Sequence, residues 1–214
     1  MNISKVNLLI GFILLFFFSS CYKSELVATY TLTPEELQYL SYSEGQQVVY
    51  TNSVNGELLA FTAEPATSEM IKIPEGINTN MYYLFEQRIQ FLIASDAALR
   101  FNLESDRKYQ TKAKMEFSWD TGIENYPRTI GSSFYIPIDS TDRFFNLTYY
   151  DSLMVQQDLY RDVYRGIFSL FASPGDTTPI PESAVYPLSY YYCLPYGMIR
   201  FDMSDSTSWE LICE

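Results

Sequence analysis

Residues 81–95 read MYYLFEQRIQFLIAS, and this stretch decides the fold class. Apolar and polar side chains alternate along it. One face collects Tyr83, Phe85, Ile89, Phe91 and Ile93, and the other collects Glu86, Arg88 and Gln90. Alternation over this length is typical of a β-strand, because successive side chains of a strand point to opposite faces of the sheet. We therefore predict one long strand here.

Shorter segments with the same pattern lie further along the chain, at 98–103, 113–119, 134–138, 144–150, 160–168 and 189–193. Turn-forming residues separate most of them at intervals of about ten residues, which favours an antiparallel all-β domain over a βαβ arrangement. We predict a β-sandwich or a partly open barrel. Residues 151–165 are ambiguous, because Leu153, Gln157, Tyr160 and Tyr164 would also share one face of a helix.

Two local motifs lie before the long strand. Thr33-Pro34-Glu35-Glu36 has the form of a capping box with proline at the first helical position, and predicts one short helix that runs to about Leu40. Residues 45–61 alternate on both sides of Asn52-Ser53-Val54-Asn55-Gly56, which predicts a β-hairpin with a tight turn.

The composition excludes several functions. The chain has 214 residues, a formal net charge of −12 and no histidine. Nucleophilic triads that use histidine, imidazole zinc sites and histidine proton shuttles are therefore excluded, and the negative charge disfavours nucleic acid. The basic cluster at Arg100, Arg107, Lys108, Lys112 and Lys114 is best explained as a solvated polar face. We predict no enzyme, no cofactor and no metal.

Aromatic residues make up 17% of the chain. Strand alternation places Tyr190 and Tyr192 on one side and Tyr191 on the other, so this run forms no three-ring platform. If a ligand face exists, Trp119, Tyr186 and Tyr196 are its better candidates. The simpler explanation is that aromatic residues are good strand formers.

The N-terminal segment indicates export. Lys5 precedes an apolar run at 8–18 that is too short to span a bilayer, and Phe18-Ser19-Ser20-Cys21 follows it. This segment resembles a bacterial lipoprotein signal, in which the cysteine becomes the acylated first residue. The resemblance implies a signal peptide at 1–20 and lipidation at Cys21. From the length of the remaining chain and its strand pattern we predict a tether at 21–31 and a single antiparallel β domain at 32–214.

The C-terminal hairpin carries a wider resemblance. Tyr196-Gly197-Met198-Ile199-Arg200-Phe201, the turn Ser204-Asp205-Ser206-Thr207 and Trp209-Glu210-Leu211 are similar to the closing hairpin of Bacteroidota cell-envelope lipoproteins. The hairpin at 45–61 and Tyr160-Arg161-Asp162-Val163-Tyr164 are similar to further segments of such proteins. The resemblance implies an all-β domain attached to the outer membrane by its lipid, at either the periplasmic face or the cell surface. It implies no activity.

Two kinds of modification remain as candidates. Cys193 and Cys213 would pair as a disulfide if strand order brings them together, and otherwise serve as small buried fillers. Four Asp-Ser/Thr sequences resemble the O-glycosylation signal of the Bacteroidota, with acceptors Ser140, Ser152, Thr177 and Ser206. The alternative is turn chemistry, because β-turns favour Asp followed by Ser or Thr.

The sequence thus leaves two main functional hypotheses. The first is a non-enzymatic accessory or interaction subunit of the envelope, anchored through its lipid to the membrane and contacting an envelope protein or glycan. The second is a glycan- or small-molecule-binding lipoprotein, which should have a concave aromatic patch.

Overall fold

The computed structural model describes residues 24–40, 42–77, 79–95, 97–105, 112–120, 129–136, 147–171 and 185–212. Within these ranges the chain forms one short helix, α1 (Pro34–Leu37), and fourteen strands. The strands are β1 (Glu25–Tyr30), β2 (Gln47–Asn52), β3 (Leu58–Ala63), β4 (Thr67–Pro74), β5 (Met81–Ile93), β6 (Ala98–Glu104), β7 (Ala113–Asp120), β8 (Thr129–Ile136), β9 (Thr148–Val155), β10 (Asp158–Ile167), β11 (Ser169–Phe171), β12 (Pro187–Cys193), β13 (Gly197–Met203) and β14 (Ser208–Leu211). The all-β prediction is confirmed. No helix in the described ranges has the length and apolar character needed to cross a membrane.

The described residues fall into two compact units. The smaller unit contains residues 24–29 and 72–84, and the larger unit contains 30–71 and 85–212. In the smaller unit, the Glu25 N–H donates to the Asn80 carbonyl and the Glu75 N–H donates to the Met81 carbonyl, each at 2.9 Å. The ammonium of Lys72 lies 3.9 Å from the ring centroid of Tyr82. The sequence predicted a single domain over residues 32–214 and no such division.

The larger unit is a strongly curled antiparallel sheet, a half-barrel. Its strand order is β11-β8-β7-β6-β5-β3-β2-β14-β13-β12-β10-β9. The chain passes from β10 through Phe168 directly into β11. β10 pairs with β12 and β11 pairs with β8, although β12 and β8 are far apart in the strand order. This connection brings the two halves of the curled sheet together, as a partly open barrel requires.

The concave face of this sheet is packed with aromatic rings. Phe117 is central, with ring centroids of Phe101, Tyr190 and Tyr192 at 5.0, 5.1 and 5.6 Å. Tyr50 contacts this core at another point, because its hydroxyl donates to the Met198 carbonyl at 2.8 Å. Aromatic side chains bury large areas and keep edge-to-face geometry, so they hold the curled strands together.

The predicted capping box is present at α1. The Thr33 hydroxyl accepts from the Glu36 N–H at 3.2 Å, and the Glu36 carboxylate accepts from the Thr33 N–H at 2.8 Å. The helix ends at Leu37 and is shorter than predicted. Leu32 and Leu37 both pack against the core on either side of this cap.

The β2–β3 hairpin is also confirmed. The Asn52 carboxamide oxygen accepts from the Val54 N–H at 2.9 Å and from the Asn55 N–H at 3.3 Å, and Gly56 closes the turn with a φ of +72°. The helix considered for residues 151–165 is wrong, because β9 and β10 form a hairpin there. Gln156, with a φ of +55°, makes the reversal between them.

The long strand β5 is confirmed, but the faces predicted for its second half are wrong. Phe91 and Ile93 are exposed, whereas Gln90 and Leu92 are buried. Pairing with β6 places Leu92 opposite the buried Leu99. The NH₂ group of Gln90 donates to the carbonyls of Tyr42 and Glu64, at 2.9 and 3.2 Å, which supplies partners that a buried polar group needs. Its carboxamide oxygen is buried without a partner among the described residues.

Two described strands have no counterpart in the sequence prediction. β1 lies inside the segment expected to be a tether, and β4 lies between the predicted hairpin and the long strand. Both strands are largely exposed, so neither shows the alternation of apolar and polar residues that marks a half-buried strand.

Tyr42 makes the folded state sensitive to alkaline pH. Burial raises its pKa from 10.0 to about 12, against smaller opposing effects of hydrogen bonds with Met198 and Tyr50. Between pH 10 and 12 the unfolded chain releases this proton while the folded chain keeps it, so the free energy of unfolding falls as pH rises. A pKa difference of two units between the folded and the unfolded state corresponds to a loss of about 2–3 kcal/mol in the free energy of unfolding for this one group.

We expect urea unfolding at pH 9, 10 and 11 to show this fall. Tyr42→Phe should make the decline shallower, although Tyr50, whose pKa burial also raises, keeps part of it. Equal slopes in the variant and the original protein would mean that Tyr42 ionises without unfolding.

Candidate functional site

A groove of about 630 Å³ opens in the larger unit where three turns meet. Its walls come from the β2–β3, β5–β6 and β13–β14 turns and from the end of β7. Hydrogen bonds connect two of these turns, because the Ser53 N–H donates to the Ser208 carbonyl at 2.9 Å and their hydroxyls lie 2.7 Å apart. The volume is within the range of small-ligand sites, which often occupy the mouths of β-barrels.

Both tryptophans of the chain line this groove. Trp119 is only 5% exposed, with the rings of Phe61 and Phe201 at 6.1 and 5.3 Å. Trp209 is partly exposed, and its ring is nearly parallel to that of Phe201 at 6.4 Å. The base of the groove is therefore aromatic and packs on the core. Of its two tryptophan rings, that of Trp209 is the more accessible.

Polar side chains on two turns complete the groove. Asn52 is 7% exposed, and its carboxamide oxygen is occupied by the turn N–H groups, so its NH₂ group is left for the groove. The Asn55 carboxamide oxygen accepts from the Glu57 N–H at 2.9 Å, and its NH₂ group lies 3.5 Å from the Glu57 carboxylate. The first bond fixes the backbone of Glu57, and its exposed side chain lines the groove beside Asn55.

Asp205 lies in the β13–β14 turn, which also lines the groove. One of its carboxylate oxygens accepts from the Thr207 N–H at 3.0 Å and from the Thr207 hydroxyl at 2.7 Å. The hydrogen bonds from Thr207 lower the pKa of Asp205 below its usual value, so this carboxylate stays ionised to more acidic pH. No lysine or arginine lies among the described residues that line the groove.

The three aromatic residues proposed for a ligand face do not come together. Trp119 is in the groove, and Tyr186 is half-buried just before β12. Tyr196 is 50% exposed in the β12–β13 turn, with its ring against that of Tyr160 at 5.1 Å. It lies before β13 while the groove lies beyond this strand, a separation of about 20 Å for seven residues.

The alternation of the tyrosine run is as predicted. Tyr190 and Tyr192 are fully buried, and Tyr191 is half-exposed on the opposite face. On that face the guanidinium groups of Arg165 and Arg200 lie 5.8 and 5.3 Å from the Tyr191 ring centroid. Arg200 also pairs with Glu210, opposite it on β14, at 3.0 Å, so this row stabilises adjacent strands.

The cysteine predictions lie mostly outside the described residues. Cys21 and Cys213 are both outside, so lipidation and the Cys193–Cys213 disulfide stay predictions. Cys193 is buried, and its thiol donates to the Arg161 carbonyl at 3.0 Å. Burial raises the pKa of this thiol to about 11, which makes it a poor nucleophile.

Two of the four candidate glycosylation acceptors can be placed. Ser152 is exposed on β9, and Ser206 is exposed in the β13–β14 turn with a φ of +69°. The bonds from Thr207 to Asp205 are the turn chemistry that offers the alternative explanation for the latter motif. Ser140 and Thr177 lie outside the described residues.

Three residues of the basic cluster, Arg100, Lys112 and Lys114, lie within the described residues. Arg107 and Lys108 lie outside the described residues, Arg100 is exposed, and Lys114 pairs with Glu116. Within the described ranges, no three His, Cys, Asp or Glu side chains group closely enough to hold a metal ion.

Sequence reasoning missed most of the groove. It named Trp209 only as part of the C-terminal hairpin and Asn52 only as part of a turn, and it considered Asp205 only for a turn or a glycosylation signal. The presence of only two tryptophans, each near the end of a strand, is the signal that could have pointed to a shared site.

Comparison with known proteins finds no matching family model, no matching curated protein and no matching solved structure. Fold and groove together therefore describe this chain as an all-β protein with a small groove lined by tryptophan and carboxylate side chains.

Proposed function

We propose that this chain is a lipid-anchored lipoprotein of the cell envelope without enzymatic activity, acting as an accessory or interaction subunit. The N-terminal segment supports the anchor, because a short apolar run ends at Ser19-Ser20-Cys21. The absence of histidine from the sequence supports a non-catalytic role. Acyl chains on Cys21 would hold the protein at the outer membrane, on its periplasmic face or at the cell surface.

Metabolic labelling with a fatty acid in the native host tests the anchor. We expect the label and a mature mass beginning at Cys21 in the original protein, and no label in Cys21→Ala. Cys193→Ala serves as the matched control and should be labelled normally, because that thiol is buried. An unlabelled chain, or one cleaved elsewhere, would contradict the lipoprotein proposal.

We propose further that the groove binds a glycan or another small molecule. The observation that carries this proposal is that both tryptophans line one groove of about 630 Å³. A rigid aromatic floor with a few fixed polar groups is the usual composition of a small-ligand site. The partly exposed Trp209 would stack on the ligand, and Asn52 would orient it.

Tryptophan fluorescence reports on this groove directly, because no tryptophan lies elsewhere in the chain. We expect a saturable emission change with members of a panel of neutral oligosaccharides. Trp209→Ala should weaken binding at least tenfold, or about 1.4 kcal/mol, with Trp119 as the remaining reporter. Tyr196→Ala removes an exposed ring about 20 Å away and should leave the affinity unchanged. Equal affinity in Trp209→Ala would place the binding site elsewhere.

A further inference from the structure

We infer that the groove selects a saccharide without acidic groups and rejects acidic sugars, an inference that rests on the proposed binding function. It concerns the charge of the ligand, which the presence of a groove does not determine. Two carboxylates, Glu57 and Asp205, line the groove, and the described lining residues include no cation.

The carboxylate of Asp205 is fixed by the bonds that it accepts from the Thr207 N–H and hydroxyl. The carboxylate of Glu57 has one longer contact, at 3.5 Å from the Asn55 NH₂ group. An acidic ligand would therefore meet two negative charges that come from different turns, and that of Asp205 cannot move away without breaking its bonds. Charge repulsion of this kind is a recognised means of rejecting a competing ligand.

The available hydrogen-bonding groups favour hydroxyl ligands. One oxygen of Asp205 accepts both bonds from Thr207, and the exposed carboxylate keeps further acceptor capacity. The Asn52 NH₂ group is similarly available, and Glu57 adds further acceptor capacity at the rim. Sugar hydroxyl groups both donate and accept, so they can use the carboxylate acceptors and the single amide donor together.

The aromatic groups argue against a site for an organic cation. A cage for a quaternary ammonium group needs several exposed ring faces around the charge. Trp119 is 5% exposed because Phe61 and Phe201 pack against it, so Trp209 is the accessible tryptophan. One such ring with hydroxyl-binding side chains matches a stacked sugar ring better than a caged cation.

Two matched pairs of trisaccharides test the inference by tryptophan fluorescence of the full mature chain. The probes are β-1,4-mannotriose with trimannuronate, and α-1,4-galactotriose with trigalacturonate. In each pair a carboxylate replaces the hydroxymethyl group of every ring. We expect at least one neutral probe to bind and its acidic counterpart to bind at least tenfold more weakly. Added salt should reduce this difference, because it screens the exposed carboxylates.

The isosteric double variant Glu57→Gln/Asp205→Asn identifies the cause. Asn at 205 keeps the oxygen that accepts from Thr207, so the turn geometry should be retained. We expect the ratio of acidic-probe affinity to neutral-probe affinity to rise at least fivefold, because the variant removes both charges while each side chain keeps an acceptor oxygen. Continued rejection of the acidic probe by a folded variant would overturn the assignment to these carboxylates.

The remaining outcomes separate this inference from the binding proposal. Equal affinity for neutral and acidic probes would overturn the charge selection and leave the binding proposal standing. Binding of choline more than tenfold tighter than any neutral probe would also overturn it. Failure of every probe, charged or neutral, to change the fluorescence would contradict the proposed saccharide binding itself.

Discussion

Replacing Gly197 by alanine is expected to lower the free energy of unfolding by about 4 kcal/mol, the largest effect of any single substitution considered for this chain. Gly197 has a φ of +79°, a region that costs a residue with a Cβ about 1–2 kcal/mol. The added Cβ would also lie 2.3 Å from the Tyr42 hydroxyl oxygen. Displacing that hydroxyl would leave the buried Met198 N–H without its 2.8 Å acceptor, at a cost of about 1–3 kcal/mol.

Gly56→Ala is the matched control for this prediction. Gly56 has a φ of +72°, and a Cβ there would meet nothing within 4 Å. It should therefore lose only the cost of the left-handed backbone, about 1–2 kcal/mol by urea unfolding. If both alanine variants lose the same stability, the contact between Gly197 and Tyr42 does not constrain the fold.

The second large effect is expected at Gly166, where alanine should cost about 3 kcal/mol. A Cβ on Gly166 would lie 2.2 Å from the Cζ and hydroxyl oxygen of Tyr190, which is opposite it on β12. Tyr190 cannot withdraw, because Phe117 and Phe168 flank its ring at 5.1 and 5.2 Å and its hydroxyl lies 3.2 Å from that of Ser132. Overpacking of a closed core typically costs 1–3 kcal/mol.

A double-mutant cycle tests the cause of that loss. Tyr190→Leu shortens the side chain and should make room for the alanine at 166. We expect the combined variant to lose at least about 1 kcal/mol less stability than the two single losses added together, as contacting residues do. Strict additivity would show that the cost at Gly166 arises from something other than Tyr190.

These two glycines show where sequence reasoning reached its limit. The turn at Asn52-Ser53-Val54-Asn55-Gly56 could be predicted because its geometry depends only on neighbouring residues. The requirement for glycine at 166 and 197 depends on Tyr190 and Tyr42, which are distant in sequence. Unless it is known which strands pair and in which register, no local pattern can reveal either contact.

The same limit explains the error in β5. Alternation identified a strand, but it could not say which face the core would cover. Gln90 is buried because the carbonyls of Tyr42 and Glu64 accept from its amide, and those acceptors come from other segments. Leu92 follows it inward because register with β6 places it opposite Leu99.

The groove is a further product of tertiary structure. The β2–β3 and β13–β14 turns were each predicted or recognised as turns, but their proximity follows from the pairing of β2 with β14. That pairing joins strands from opposite ends of the chain and sets Glu57 and Asp205 around one groove. Because Glu57 and Asp205 are far apart in the sequence, no sequence pattern could predict that their carboxylates line the same groove, on which the proposed selectivity depends.

By itself, the sequence determined the all-β class, the capping box at Thr33, the β2–β3 turn and the alternation of the tyrosine run. Each of these depends on the spacing of residues that are close in the chain, where backbone geometry imposes fixed periods. Only the tertiary structure decided strand order, the buried face of β5, the packing around Gly166 and Gly197, and the meeting of two tryptophans at one groove. These features depend on long-range contacts, which local periodicity does not encode.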